Sequence, residues 1–175
     1  MSYIASLISD GATTFLKTEY FWISVFVVIF AAIIACTVEE EFGQFYTTFA
    51  FLLGAITSTV SGYIGMWVAV QANVRTAKMA IKGMDEAFGV AFKGGMVLGF
   101  TLVGLALCNL MILLSVYKGY YSDKLKMFEA VAGYGLGGST VALFGRVGGG
   151  IYTKAADVGA DLVGKVIEDM DEDSI

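Results

Sequence analysis

Histidine is absent from this chain, and cysteine and charged residues are scarce. Without histidine, the chain cannot use the commonest general acid–base side chain or build the commonest zinc sites. Cys36 and Cys108 both lie in apolar runs, so we expect small core residues rather than a disulfide or a metal pair. Lysine and arginine number 11 against 16 aspartates and glutamates, which argues against a nucleic-acid partner.

Apolar residues and glycine take the place of charge. Of the 175 residues, 57% are hydrophobic and only 15% are charged, with 22 glycines and no proline. Ordinary soluble domains are about 45–50% apolar and about 25% charged. The composition therefore predicts an integral membrane protein of the all-α class, a polytopic helix bundle with about four transmembrane helices.

The pattern of apolar runs divides the chain into three parts. Residues 1–19 are predicted to form an amphipathic lead-in helix, which either lies on the membrane or packs on a missing neighbour. A transmembrane bundle follows at 20–165, and residues 166–175 form an acidic tail. The expected spans are about Tyr20–Val38, a segment within Phe42–Val74, about Gly94–Tyr117, and a helix from about Ala130 into a charged stretch.

Charge in the connecting segments predicts the orientation. Residues 75–93 carry several basic side chains, whereas the turn at 39–41 carries only acids. The positive-inside rule then places 75–93 in the cytoplasm, and with four spans both chain ends lie on that side. Lysines at 118–129 weaken this assignment without reversing it.

Small residues recur with helical spacing. Gly54, Ser58 and Gly62 repeat at every fourth position, and Gly95 and Gly99 form a similar pair. Such stripes let helices approach closely in lipid, although glycine is in any case commoner in membrane helices. We expect close helix contacts at both places and along the glycine-rich fourth span.

One helix face carries alternating charges where the fourth span leaves the apolar region. At 3.6 residues per turn these side chains fall within about 100° of one another. They are Arg146, Lys154, Asp157, Asp161, Lys165 and Glu168. Asp157 and Asp161 can together hold a hard cation such as Mg²⁺. Lys154 and Lys165 flank them and can hold an anion, which suggests a metal-bound, phosphate-like ligand; the alternative is a salt-bridge ladder at i,i+4.

Arg146 lies some three turns before the two aspartates, at a depth within reach of the membrane. A charge at mid-bilayer costs on the order of 2.5–3.5 kcal/mol on insertion scales, so it should face protein or water and have a partner. This makes Arg146 a candidate for a gate or an ion path. The alternative is an arginine that snorkels to the surface. The same residue among glycines also suggests, more weakly, a small channel or transporter subunit.

The stretch from Gly145 to Lys165 resembles the first substrate motif of the membrane-bound, ion-pumping inorganic pyrophosphatases of the vacuolar proton-pumping type. Residues 134–144 resemble the helix that leads into this motif, and further matches at 11–20, 61–66 and 72–76 follow in family order. The sequence resembles only family helices two to five, and the later acidic motifs are absent. We therefore expect an N-terminal portion of a larger family member.

The resemblance implies a sixteen-helix subunit that assembles as a homodimer. It also implies hydrolysis of pyrophosphate at a cytoplasmic site loaded with Mg²⁺, with K⁺ as a possible second cofactor, and pumping of H⁺ or Na⁺ out of the cytosol. The implied location is a vacuolar or acidocalcisome-type membrane in a eukaryote and the plasma membrane in a prokaryote.

Motif matching also implies individual roles. Asp157 and Asp161 would bind Mg-pyrophosphate and position the attacking water, while Lys154 and Lys165 would contact pyrophosphate oxygens. Arg146 would lie near the ion gate. The family usually has Glu after Gly-Lys-Val, but Ile167 stands there in this chain, so Glu168 is expected to serve as the metal ligand instead.

We therefore expect a fragment that contributes one wall of the Mg-pyrophosphate site. Its expected partners are pyrophosphate, the lipid bilayer and the remaining helices of the family fold. Alone it should not hydrolyse pyrophosphate, because two carboxylates cannot hold the several metal ions required. The alternative is a non-catalytic membrane protein that binds phosphate-like anions or serves assembly.

Overall fold

Four long α-helices make up the computed structural model, which describes residues 2–39 and 45–167. They are α1 (Ser2–Thr37), α2 (Tyr46–Ala80), α3 (Met84–Tyr120) and α4 (Lys124–Asp161), with a short π-helix (Leu162–Ile167) at the end of α4. Within the described ranges no strand occurs. The all-α class is confirmed. Glu168 and the rest of the predicted acidic tail after Ile167 lie outside the described residues.

The helices are long enough to cross a bilayer and extend beyond it. A helix of 36 residues, the length of α1, measures about 54 Å at 1.5 Å per residue, against about 30 Å of hydrocarbon core. By length and composition, Tyr3–Thr37, Tyr46–Ala80 and Met84–Tyr120 can each span a membrane. The fourth helix is also long, but its glycines and charges lower its hydropathy, so its predicted span stays a prediction.

The boundaries differ from the sequence pattern in two ways. The predicted lead-in segment at 1–19 runs into the first span without a break, because residues 2–37 form one continuous helix. The predicted loop at 75–93 is mostly helix, since only residues 81–83 connect α2 to α3. In the turn between α3 and α4, the Asp123 carboxylate accepts a hydrogen bond from the Leu125 N–H at 2.9 Å and so caps the start of α4.

Successive helices run antiparallel, which makes α2 and α4 parallel. On one side, the Asn109 side chain donates to the Thr57 hydroxyl at 2.9 Å and ties α3 to α2. On the other, the rings of Phe26 and Phe144 pack 4.8 Å apart between α1 and α4. As a result the start of α1, the α2–α3 turn and the end of α4 lie at one end of the bundle, called here the site end. The basic residues of 75–93 share this end with the charged stretch of α4.

Backbone-to-backbone contact joins α2 and α4. A Cβ added to Gly54 would overlap the carbonyl oxygen of Tyr134, and one added to Gly137 would overlap that of Phe51. Gly133 behaves similarly, because its Cβ would lie 2.6 Å from a backbone oxygen of α2. The predicted close approach is confirmed at Gly54 and, on the fourth span, at Gly133 and Gly137, whereas a Cβ added to Gly135 or Gly145 would meet nothing within 4 Å.

Two other predictions about packing are not met within the described bundle. A Cβ added to Gly95 or Gly99 would meet nothing within 4 Å, so no described helix contacts this stripe of α3. Cys36 and Cys108 are free and exposed rather than in the core. All four residues lie on outer faces of this bundle, and in a membrane such faces meet lipid or further protein. Apolar surroundings in the sequence do not distinguish lipid contact from a protein core.

Candidate functional site

The charged stretch occupies the last turns of α4. Lys154, Asp157 and Asp161 lie on α4, and Lys165 lies in the π-helix that follows. Every side chain from residue 153 to residue 161 is exposed. The end of α4 is therefore an open surface at the site end and not an enclosed pocket.

Lys154 and Asp157 form a salt bridge on this surface. Nζ of Lys154 lies 3.2 Å from Oδ2 of Asp157, and the side chains are 82% and 65% exposed. Exposed ion pairs are worth about 0.2–1 kcal/mol. This ion pair is one that the alternative prediction, a salt-bridge ladder along the helix, would contain. Its spacing is i,i+3, whereas the ladder was predicted at i,i+4. The pair is also weak enough to be replaced by a metal ion or a phosphate group.

The two aspartates supply few ligands. Asp157 and Asp161 are one turn apart, or about 6 Å along the helix axis. The described part of the chain contains no group of three or more Asp, Glu, Cys or His side chains that could hold a metal. Carboxylate oxygens nevertheless suit Mg²⁺, which is usually held by one or two carboxylates together with substrate phosphates and water. This surface fits one Mg²⁺ shared with a phosphate ligand.

The helix widens into a π-helix immediately after Asp161. Segments of this kind are rare inside α-helices and occur frequently at functional sites. The spacing of 3.6 residues per turn used to align the charged face therefore applies only as far as Asp161. The alignment of Lys165 with the aspartates stays a prediction, and so does the role of Glu168, which lies outside the described residues.

Arg146 is exposed on α4, about three turns before Asp157. Within the described ranges no carboxylate lies within ion-pair distance of its guanidinium. The partner expected for a charge at this depth is thus not supplied by residues 2–39 or 45–167. The prediction that Arg146 belongs to an ion gate is not tested by this geometry.

Sequence reasoning missed the contact that supports the site-bearing end of α4. The rings of Phe15 on α1 and Tyr152 on α4 pack with centroids 4.8 Å apart. One turn away, the Glu19 carboxylate lies so close to Gly148 that a Cβ there would overlap it. A signal was available, because Gly11, Phe15 and Glu19 are spaced four apart on α1 and form one stripe.

Comparison with known proteins identifies the chain's relatives. The family model described as inorganic H⁺ pyrophosphatase matches residues 1–175. This chain belongs to that family. A putative K⁺-stimulated pyrophosphate-energized sodium pump of Clostridium tetani is 49% identical over 173 residues, or 99% of this chain. A K⁺-insensitive pyrophosphate-energized proton pump of Methanosarcina mazei is 43% identical over 173 residues, again 99% of this chain.

A plant relative extends the same pattern. Pyrophosphate-energized membrane proton pump 3 of Arabidopsis thaliana is 40% identical over 194 aligned residues, which cover 99% of this chain. The chain spans 24% of the length of each of these three relatives. The predicted resemblance to an N-terminal portion of the family is confirmed. With the three apolar helices, membership also makes the chain an integral membrane protein.

Proposed function

We propose that this chain provides one wall of the Mg-pyrophosphate site in an ion-pumping membrane pyrophosphatase. The observation that carries the proposal is the exposed end of α4, where Lys154, Asp157 and Asp161 share one surface at the site end. The family match covers this stretch, and three relatives are named as pyrophosphate-energized pumps. Those three span about four times the length of this chain, so the rest of the site belongs to other helices of the family fold.

Each side chain has a chemical role in this proposal. Asp157 and Asp161 hold Mg²⁺ and accept hydrogen bonds from the attacking water, and Lys154 and Lys165 neutralise pyrophosphate oxygens. The bound Mg²⁺ supplies charge neutralisation on the phosphate oxygens. Glu168 adds a carboxylate, and Arg146 connects the site to the ion path. K⁺ as a second cofactor and homodimer assembly are part of the same proposal.

A non-catalytic role is the second candidate. The Lys154–Asp157 bridge favours it, because a stable ladder would leave a surface that binds phosphate-like anions or serves assembly without hydrolysis. The two candidates differ in what loss of a carboxylate does. Removing Asp157 destroys a metal site, but it frees Lys154 and should strengthen simple anion binding.

The test uses a chimaera in which this chain replaces the aligned segment of the Clostridium tetani pump, 49% identical over 173 residues. The chimaera is reconstituted in lipid vesicles, and phosphate release and H⁺ or Na⁺ transport are measured with Mg-pyrophosphate. Asp157→Asn and Asp161→Asn are compared with Asp10→Asn, a matched change at an exposed aspartate of α1.

Loss of hydrolysis and transport in both site variants, with activity retained by Asp10→Asn, supports the proposal. Hydrolysis that persists in Asp157→Asn and Asp161→Asn would overturn it. Pyrophosphate binding that becomes tighter in Asp157→Asn, without any hydrolysis by the unmodified chimaera, would favour the anion-binding candidate.

A further inference from the structure

The stripe formed by Gly11, Phe15 and Glu19 meets α4 just before the charged surface. Besides the ring contact, a Cβ added to Gly11 would lie 3.1 Å from the Tyr152 hydroxyl. Tyr152 is half-buried, whereas the residues that follow it on α4 are exposed. The last inward contact of α4 before the site is therefore made with α1.

Packing against α2 is looser at the same level. A cavity of about 440 Å³ opens between the helices, lined on α2 by Ser61 and Gly65, on α4 by Gly145 and Gly149, and on α1 by residues that include Glu19. The tight glycine contacts between α2 and α4 lie farther from the site end, at Gly54 and Gly137. At this level the ring contact and the approach of Glu19 to Gly148 join the site-bearing end of α4 to α1.

Helix geometry connects this contact to the aspartates. At 100° per residue, Asp161 projects about 180° from Tyr152 and Asp157 about 140°. Holding the Tyr152 ring against α1 therefore points both carboxylates away from the bundle. A rotation of α4 at this level would turn them toward or away from a ligand held by other helices.

We propose that the first half of α1 positions the substrate end of α4 and that Tyr152 is the positioning residue. This inference rests on the proposed function. Tyr152 acts through Asp157 and Asp161 and does not itself touch pyrophosphate. Loss of its ring leaves the α2–α4 core intact but lets the charged turns that bind Mg-pyrophosphate move.

The test compares Tyr152→Ala with the conservative Tyr152→Phe in the Clostridium tetani chimaera. Tyr152→Ala should raise the KM for Mg-pyrophosphate by about tenfold, with a smaller change in kcat. Tyr152→Phe keeps the ring that packs against Phe15 and should stay within about twofold of the unmodified chimaera. Phe128→Ala, at an exposed ring near the start of α4, is the matched control and should leave KM unchanged.

A second pair of variants keeps the test informative if Tyr152→Ala does not fold. In Gly148→Ala the new Cβ would overlap the Glu19 carboxylate and lie 3.3 Å from the Phe15 ring. In Gly149→Ala the new Cβ would meet nothing within 4 Å. KM should rise in Gly148→Ala and not in Gly149→Ala.

Unchanged KM in a folded Tyr152→Ala chimaera, or equal shifts in the two glycine variants, overturns the positioning role. If Asp157→Asn is inactive while Tyr152→Ala is normal, only this inference fails. If Asp157→Asn remains active, the proposed function itself fails.

Discussion

Glu19 carries a buried carboxyl oxygen, Oε1, with no hydrogen-bond partner among the described residues. Leaving a buried polar group unsatisfied costs about 1–3 kcal/mol, and ionisable groups within a membrane usually serve a function. Its neighbours Phe15 and Gly148 are apolar and offer no compensating bond. Glu19 is therefore held where it is by the packing of α1 on α4, at a cost in stability.

We expect Glu19→Met to leave the unfolding temperature of this chain unchanged or higher, because an apolar side chain of similar length removes the unsatisfied oxygen. Thermal unfolding in detergent, followed by circular dichroism, measures this. Glu129→Met changes an exposed glutamate of α4 and is the control. A clear drop in the unfolding temperature of Glu19→Met alone would show that the carboxyl group has a stabilising partner.

Lys154 allows a separate residue-scale prediction. Its bridge to Asp157 is 82% exposed on the lysine side, so Lys154→Met should change the free energy of unfolding by no more than about 0.5 kcal/mol. Pyrophosphate affinity of the chimaera should fall, because a cation beside the ligand is lost. A destabilised fold with unchanged affinity would support a structural ladder instead. Chemical denaturation and pyrophosphate titration are the two measurements.

At the scale of helices, the glycines of α2 and α4 decide how closely the two can pack. Gly137 lies directly against the Phe51 carbonyl, while Gly135, half a turn away, has open space around its added Cβ. The same substitution therefore has opposite consequences at the two positions. This difference follows from the interhelical contact and not from helix propensity, which favours alanine at both.

Gly137→Ala should destabilise the chain by about 1–3 kcal/mol, because the new methyl group forces α2 and α4 apart. Gly135→Ala should be neutral or stabilising by up to about 1 kcal/mol. Thermal unfolding of the two variants in the same detergent gives the comparison. Equal stability of both variants would contradict the backbone contact between α2 and α4.

Several features of these helices were predictable from sequence and others were not. The long apolar runs, the stripe at Gly54 and the motif ending at Lys165 follow from composition, spacing and family pattern. The sequence did not predict that the stripe at Gly95 and Gly99 lacks a neighbouring helix, or that Cys36 and Cys108 are exposed. Sequence alone does not distinguish an apolar face that contacts protein from one that contacts lipid. The widening after Asp161 is likewise invisible to a pattern that assumes 3.6 residues per turn.

The candidate site divides in the same way. Asp157 and Asp161 could be identified from their spacing, since carboxylates one turn apart share a helix face. The support from α1 could not, because Phe15 and Tyr152 are far apart in sequence and their contact depends on the antiparallel packing of two helices. The stripe of Gly11, Phe15 and Glu19 marks a packing face of α1, but its spacing does not say which helix that face contacts.

For the whole molecule, the described bundle covers about a quarter of a family subunit, and many large apolar side chains remain exposed on it. The open surface at the end of α4 fits the same picture, because a hydrolytic site needs ligands on more than one side. We expect the isolated chain to show no pyrophosphate hydrolysis above background. The Clostridium tetani chimaera should show it in the same phosphate-release assay, and hydrolysis by the isolated chain would contradict a one-wall site.

The most direct test of the central claim is binding of Mg-pyrophosphate to the chimaera by isothermal titration, with and without Asp157→Asn. If the end of α4 holds the metal-bound substrate, the variant should lose at least about tenfold in affinity, or about 1.4 kcal/mol, while its circular dichroism spectrum stays the same. Equal affinity in the two proteins would contradict the account and leave Lys154 and Asp157 as a surface salt bridge.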